Sequence, residues 1–185
     1  MRKEIKDIQD TLQTSEGAHV FYYVNELECY IYNAVSYIVA GIERGDQVLF
    51  IESERIYPMI LKRVEELVSD EQLKNIHHVN NFKFYWETGN FHPPTVLDYF
   101  SHLISPFMEN ELSFRTWVHV EWREEDEITK DIEEYEIAVD KLIPRIKAIS
   151  ICAYDAPRVS DELKEALMNC HGFLMTDEDI MPIQR

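Results

Sequence analysis

Three carboxylates stand where apolar runs end. Glu52 closes Val48-Leu49-Phe50-Ile51, Glu121 follows Thr116-Trp117-Val118-His119-Val120, and Asp155 follows the run 148–154. Near-continuous apolar runs of this length read as buried strands, so the three carboxylates fall on the carboxyl edge of a sheet. Open α/β sheets bind ligands at that edge. Glu54 and Arg55 lie just beyond Glu52. Such a group could hold a cation or a small polar ligand, or could equally cap the helices that follow. His119 alternates with Trp117 and Glu121, which puts a His, a Trp and a Glu on one strand face. It reads either as a satisfied core histidine or as a ligand contact. Glu121, half-buried beside Trp122, needs a partner or a shifted pKa.

Other chemistry is excluded by what is missing. The loop between the first expected strand and the first long helix is Tyr22-Tyr23-Val24-Asn25-Glu26, without glycine, Lys or Arg. Backbone amides cannot close around a triphosphate past bulky tyrosines, and Glu26 takes the place at the helix start that an anion would want. There is no GK[ST] and no GxGxxG, and the five glycines are dispersed. Conventional ATP hydrolysis and dinucleotide binding are therefore not expected. His77, His78 and His92 show no HExxH or HxH spacing, so no metal set is read from them. No GxSxG elbow is present. Cys29, Cys152 and Cys170 are too far apart for a CxxC motif and odd in number, which fits a reduced, cytoplasmic chain. Cys152 is expected as inert packing within its strand, and Cys170, beside His171, at a more exposed helix end.

The elements that must position these residues alternate in type. Residues 1–14 place Ile5, Ile8 and Leu12 at helical spacing, an amphipathic helix set apart from a single domain over 15–185. Strands are expected at 19–24, 47–52, 82–86, 116–120, 148–154 and 173–175, with His77-His78 in a polar turn before the third. Helices are expected from about 26 to 41, 56–68, 93–108, 128–143 and 160–170. Strands separated by helices in this way give an α/β fold, a mostly parallel central sheet flanked by helices. Within 121–140 ten carboxylates face only Arg123 and Lys130. Tyr135, Ile132, Val139 and Leu142 mark the buried side of that helix, and most of its acids read as a solvated face. The whole chain of 185 residues carries a net charge of −17. Such a surface repels phosphate backbones and anionic lipid, so neither nucleic acid nor membrane is expected as a partner. No run reaches the length of a membrane span, and no secretory signal opens the chain.

Read together, several short motifs resemble the MEDS domain, the methanogen/methylotroph DcmR-type sensory domain, over about 19–178. They are His19-Val20-Phe21-Tyr22, the segment 37–46 with Tyr37, Gly41 and Gly45, and Tyr85-Trp86-Glu87-Thr88-Gly89-Asn90-Phe91. Val120-Glu121-Trp122, Glu134-Tyr135-Glu136, Cys152-Ala153-Tyr154-Asp155 and His171 complete the order. Gly172 follows His171 where the family has Pro. The resemblance implies a RecA-like fold without a working P-loop, and a role in sensing small molecules such as hydrocarbon derivatives. The family is often joined to DNA-binding or histidine-kinase modules, and none is expected within this chain. RecA-like folds tend to associate, so a homo-oligomer is compatible with it.

These readings converge on a non-enzymatic, cytoplasmic sensory module with no cofactor. A small-molecule ligand is expected at the carboxyl edge of the sheet, near His19, Tyr22, Glu52, Glu121, Trp122 and Tyr154. The aromatic groups would supply apolar contact, and the carboxylates and His would fix orientation. The signal would pass to a separate protein, such as a signalling kinase or transcription regulator. Two alternatives remain at this level. One is a metal-dependent hydrolase of a nucleotide or small substrate using Glu52 and Glu121. The other is a ligand-free interaction module acting through the acidic helix.

Overall fold

The computed structural model describes residue 12 and residues 16–184. Seven strands form one sheet in the order β3-β2-β4-β5-β1-β6-β7, parallel throughout except for the β6–β7 pair. The strands are β1 (Ala18–Val24), β2 (Gln47–Glu52), β3 (Ile76–Asn80), β4 (Phe114–His119), β5 (Ile149–Asp155), β6 (Phe173–Met175) and β7 (Ile180–Pro182). Between them run α1 (Leu27–Glu43), α2 (Tyr57–Glu65), α3 (Asp70–Leu73), α4 (Asn81–Trp86), α5 (Pro93–Glu109), α6 (Ile128–Ile146) and α7 (Asp161–Cys170). The α/β class and the mostly parallel sheet are as the sequence implies. No described helix is long and apolar enough to cross a membrane. The amphipathic helix expected over 1–14 lies outside the described residues except for Leu12, which is fully buried.

One stretch differs from the sequence reading. Phe82-Lys83-Phe84-Tyr85-Trp86 is helix α4, and the strand lies just before it, with His77 and His78 inside β3 rather than in a turn. An aromatic run has high strand propensity, but propensity yields to local capping and burial. The Asn80 side chain accepts a hydrogen bond from Lys83 N at 2.9 Å, which starts a helix that buries Phe84, Tyr85 and Trp86 together. The two adjacent histidines do point to opposite faces of the strand. His77 meets Phe107 at 5.0 Å between ring centroids, and His78 stacks on Tyr57 at 3.7 Å. The short β7 was also not expected. Its Ile180 and Met181 pair antiparallel with Met175 and Leu174.

Each face of the sheet has its own apolar layer. Val20, Val48, Phe50, Trp117 and Ile151 pack under α1 and α2, against Tyr30, Ile31, Ile38, Ile60 and Val64. Phe21, Leu49, Ile51, Val118, Cys152 and Tyr154 pack under α4 to α7. The connections explain where a crevice opens. Chains leaving β1 and β2 go to α1 and α2 on one face, and chains leaving β4 and β5 go to α6 and α7 on the other. Where neighbouring strands part in this way, the space above their carboxyl ends stays open.

Candidate functional site

That space is a cavity of about 330 Å³. Val24 of β1, His119 of β4 and Asp155 of β5 line it, together with Leu27 and Tyr30 of α1, Arg55 and Ile56 beyond β2, and Pro157 and Arg158 beyond β5. Its floor is a chain of hydrogen bonds. Trp117 Nε1 donates to the Tyr30 hydroxyl at 2.8 Å, and Tyr30 donates to Glu52. His119 Nδ1 lies 2.9 Å from Glu52 Oε1, and His119 Nε2 lies 3.0 Å from Asp155 Oδ1. Ser53 N also donates to Glu52 Oε1, at 2.6 Å. Glu52 is fully buried yet fully partnered, the condition under which a carboxylate is tolerated in a core.

With a carboxylate at each ring nitrogen, His119 must donate from both, so it is an imidazolium. Burial opposes that charge, but the bonds to Asp155 and Glu52 outweigh it and push the pKa up to about 10. Asp155 responds in the opposite sense. Burial raises it, while the His119 bond and charge, with Arg158 and Arg55, hold it below the ordinary value. Burial and the Glu52 carboxylate keep the Tyr30 phenol protonated, as its donor role requires. The rim is held by Arg158, which spans Glu121 Oε1 at 3.3 Å and Asp155 Oδ2 at 3.7 Å and lies over the Trp122 ring at 4.2 Å. The cavity thus presents the ion-paired His119, Asp155 and Arg158 and the exposed Arg55 beside apolar walls.

The start of α1 is already taken. Glu26 N donates to Asp177 Oδ2 at 2.9 Å, Asn25 N to Asp177 Oδ1 at 3.4 Å, and the Tyr22 hydroxyl to Asp177 Oδ1 at 2.9 Å. The expected occupant was Glu26. Its side chain makes no capping bond, and the anion at the helix start is a carboxylate 151 residues further along. Asn33 Nδ2 completes the arrangement by donating to the Tyr22 hydroxyl at 2.9 Å.

On the other face a second buried polar group joins β1, β5, α6 and the residue that caps α7. His19, Glu136, Cys152 and His171 are all buried, with their side-chain ligating atoms within 4.8 Å of one another. His19 Nε2 lies 3.2 Å from Glu136 Oε2, and the Tyr154 hydroxyl donates to Glu136 Oε1. Burial opposes ionisation of Glu136, yet the His19 bond, His171 and Tyr154 hold its pKa below the ordinary value. His19 is raised: burial works against its charge, and its acidic neighbours prevail. Burial and the adjacent His19 push His171 down to about 3, and burial with Glu136 pushes the Cys152 thiol up to about 11. Cys170, expected at an exposed helix end, is instead 2% exposed, with its thiol 2.9 Å from Ala166 O. Burying the end of α7 against β1 leaves no open side there.

The six residues singled out from the sequence therefore divide between the two faces. Glu52 is in the cavity floor, Glu121 is at the rim paired with Arg158, and Trp122 is buried beneath that arginine. Tyr22 is on the α1 face but turned toward Asp177. His19 and Tyr154 meet through Glu136 on the opposite face, and Tyr154 approaches Trp122 at 5.5 Å. Glu52 and Glu121, paired in the hydrolase alternative, have separate partners: Glu52 faces Tyr30 and His119, Glu121 faces Arg158. Arg158, Glu136, Tyr30 and Asp177 were missed as functional candidates. Glu136 sits on the buried stripe 132, 135, 136, 139 and 143 of α6, a spacing that could have identified it. Tyr30 and Asp177 give no local signal, since only the fold brings them to their partners.

Comparison with known proteins accords with this architecture. No curated protein matches the chain. A family model described as MEDS, the methanogen/methylotroph, DcmR sensory domain, matches residues 18–172. His19, Glu121, Trp122, Glu136, Cys152, Tyr154, Asp155 and His171 all fall within that span: Asp155 lines the cavity, Glu121 and Trp122 meet Arg158 at its rim, and the others build or adjoin the opposite cluster. The match covers most of the chain, and the chain belongs to the MEDS family of sensory domains.

Proposed function

We propose that the cavity above the carboxyl ends of β1, β2, β4 and β5 is the sensory site, and that it takes a small organic molecule bearing an anionic or acceptor group. The observation that carries this reading is the buried ion-paired floor His119–Glu52–Asp155 beneath an open cavity of about 330 Å³. Such a floor is rigid and pre-organised, and a pocket of this volume suits a small ligand. Arg55 and Arg158 would meet the polar group, and Val24, Leu27, Ile56 and Pro157 the apolar body. Of the residues first singled out, Glu52, Glu121 and Trp122 serve this site, and Tyr22 supports its back wall through Tyr30, 5.9 Å away between ring centroids. His19 and Tyr154 act on the other face. The role is binding rather than turnover. Occupancy shifts the population of a partner-competent state, which requires unequal affinity for the two states. The exposed acids Glu124, Glu125, Asp126 and Glu127 follow directly from the rim and offer a basic partner protein a docking surface.

The test is a thermal-shift series on the purified chain with no addition, with ATP and Mg²⁺, and with a panel of small organic acids and hydrocarbon derivatives. A ligand at about 100 times its Kd adds roughly 2.7 kcal/mol. In a domain of this size that raises Tm by about 5–10 °C. The expected result is a shift with a small organic compound, weakened about tenfold or more in affinity by Arg55→Ala, an exposed side chain that folding does not need. Undiminished binding in both Arg55→Ala and His119→Gln would remove the cavity as the site. A shift with ATP and Mg²⁺ alone would favour the nucleotide-hydrolase alternative.

A further inference from the structure

The cluster on the opposite face has the composition and spacing of a metal centre. His19, Glu136, Cys152 and His171 come from β1, α6, β5 and the end of α7, and none is more than 3% exposed. Four of the six distances among their inward atoms are His19 Nε2 to Glu136 Oε2, 3.2 Å; His19 Nε2 to Cys152 Sγ, 3.5 Å; Cys152 Sγ to Glu136 Oε2, 3.6 Å; and His171 Nε2 to Glu136 Oε2, 3.6 Å. Zinc bonds of about 2.0–2.1 Å to nitrogen and about 2.3 Å to a single sulfur give tetrahedron edges of about 3.3–3.6 Å. The four given edges, 3.2–3.6 Å, are close to that length, and the other two lie within 4.8 Å.

The outward atoms are tied down in the manner that orients metal ligands. His171 Nδ1 donates to Leu167 O at 2.8 Å, which leaves a lone pair on Nε2 facing the cluster. His19 Nδ1 lies 3.2 Å from both Cys170 O and Asp140 Oδ1, so its Nε2 also faces inward. The Tyr154 hydroxyl occupies Glu136 Oε1 and leaves Oε2 to the cluster. The two imidazoles stack at 3.9 Å between centroids with their planes 29° apart. Binding both Nε2 atoms to one ion requires only that these rings fan apart.

Charge and softness narrow the ion. A carboxylate and a thiolate neutralise a divalent cation, which removes the cost of holding isolated charge in an apolar layer. Two imidazoles, one thiolate and one carboxylate suit zinc-like transition metals rather than Mg²⁺ or Ca²⁺, which prefer oxygen. A depression of about 350 Å³ lined by Gly17, Ile143, Pro144 and Phe173 together with His19 and Asp140 opens beside the cluster, and the Asp140 side chain is 27% exposed.

We propose that His19, Glu136, Cys152 and His171 form a closed, four-ligand site for Zn²⁺ or a similar divalent transition metal, tying β1 and β5 to α6 and α7. All four positions are protein ligands, so the site is of the structural kind. It stands independently of the cavity on the other face.

The test uses the full chain, stripped with a chelator, and the metal ions alone. Expected are binding of one Zn²⁺ per chain, a rise in Tm on loading, no response to Mg²⁺, and a thiolate-to-metal charge-transfer band with Co²⁺. Cys152→Ser should abolish that band, and Cys152→Ser and His171→Gln should each weaken Zn²⁺ binding about a hundredfold or more. Cys29→Ser, at a half-exposed position on α1, should change nothing. X-ray absorption of the zinc-loaded wild type should show one sulfur near 2.3 Å and three lighter ligands near 2.0 Å, and it needs no variant to fold. Absence of stoichiometric binding, a metal shell without sulfur, or a band that follows Cys29 would overturn the assignment.

Discussion

His119 is charged because two carboxylates face its two nitrogens, and that charge has a signature in pH. The groups around it are Tyr30 from α1, Glu52 from β2 and Asp155 from β5, with Arg55 and Arg158 at the cavity rim. Its folded pKa of about 10 lies above the ordinary 6.5, so the native state binds the proton more tightly. Its contribution is whole below pH 6.5 and is lost as pH rises toward 10. Asp155 has the opposite sign. Its lowered pKa stabilises above the ordinary 3.8, and that contribution is lost as pH falls through the folded value. The His119 shift is worth up to a few kcal/mol. Urea midpoints measured from pH 6 to pH 10 should therefore fall steeply in the wild type and less steeply in His119→Gln, where only the raised His19 still contributes. Parallel curves would mean that His119 is neutral. The sequence disclosed Glu52, Glu121 and Asp155 because each ends an apolar strand. It did not separate His19 from Glu52, because strand residues alternate faces and only the strand order shows which face each cavity is on.

At the scale of elements, the turn between α1 and β2 is locked to β4 by one buried ion pair. Arg115 Nη2 lies 2.6 Å from Asp46 Oδ2, with its Nε at 2.8 Å from the same oxygen. Gly41 makes room for it: a Cβ there would sit 2.7 Å from both Arg115 Cδ and Nε. The arginine is ion-paired and buried, so it cannot swing aside. Gly41→Ala should cost about 3 kcal/mol by displacing one partner of a buried pair. Gly45→Ala should cost only about 1 kcal/mol, since the site has open space around it and only its positive φ to pay. Chemical denaturation of both variants checks the order, and equal losses would show that Arg115 relaxes. Element type was legible wherever a period ran long enough, as in α1, α5, α6 and the central strands. It failed at 76–86, where five half-buried residues and five aromatic or basic ones carry no period of their own. There the Asn80 cap decides, and a single asparagine is too common to announce a helix.

Over the whole molecule, the sheet serves two buried polar centres placed back to back, and the last described strands close the first. The β6–β7 hairpin brings Asp177 to the start of α1, where its carboxylate accepts from Glu26, Asn25 and Tyr22. Buried hydrogen bonds to a charged group contribute roughly 1.5–3 kcal/mol each net of those exchanged with water, and less at a partly exposed site. Asp177→Ala should lower stability by about 2 kcal/mol, or about 4–8 °C in Tm, measured by calorimetry. An unchanged Tm would mean that water replaces the carboxylate without loss. The tie also bears on what the domain ignores. A group carried on the same chain is present at its seat at an effective concentration in the millimolar range or above, whatever the dilution. A dissolved phosphate must displace this tethered competitor before it can use the amides of Asn25 and Glu26. The start of the first helix is thus shielded from dissolved phosphate by a carboxylate of its own chain.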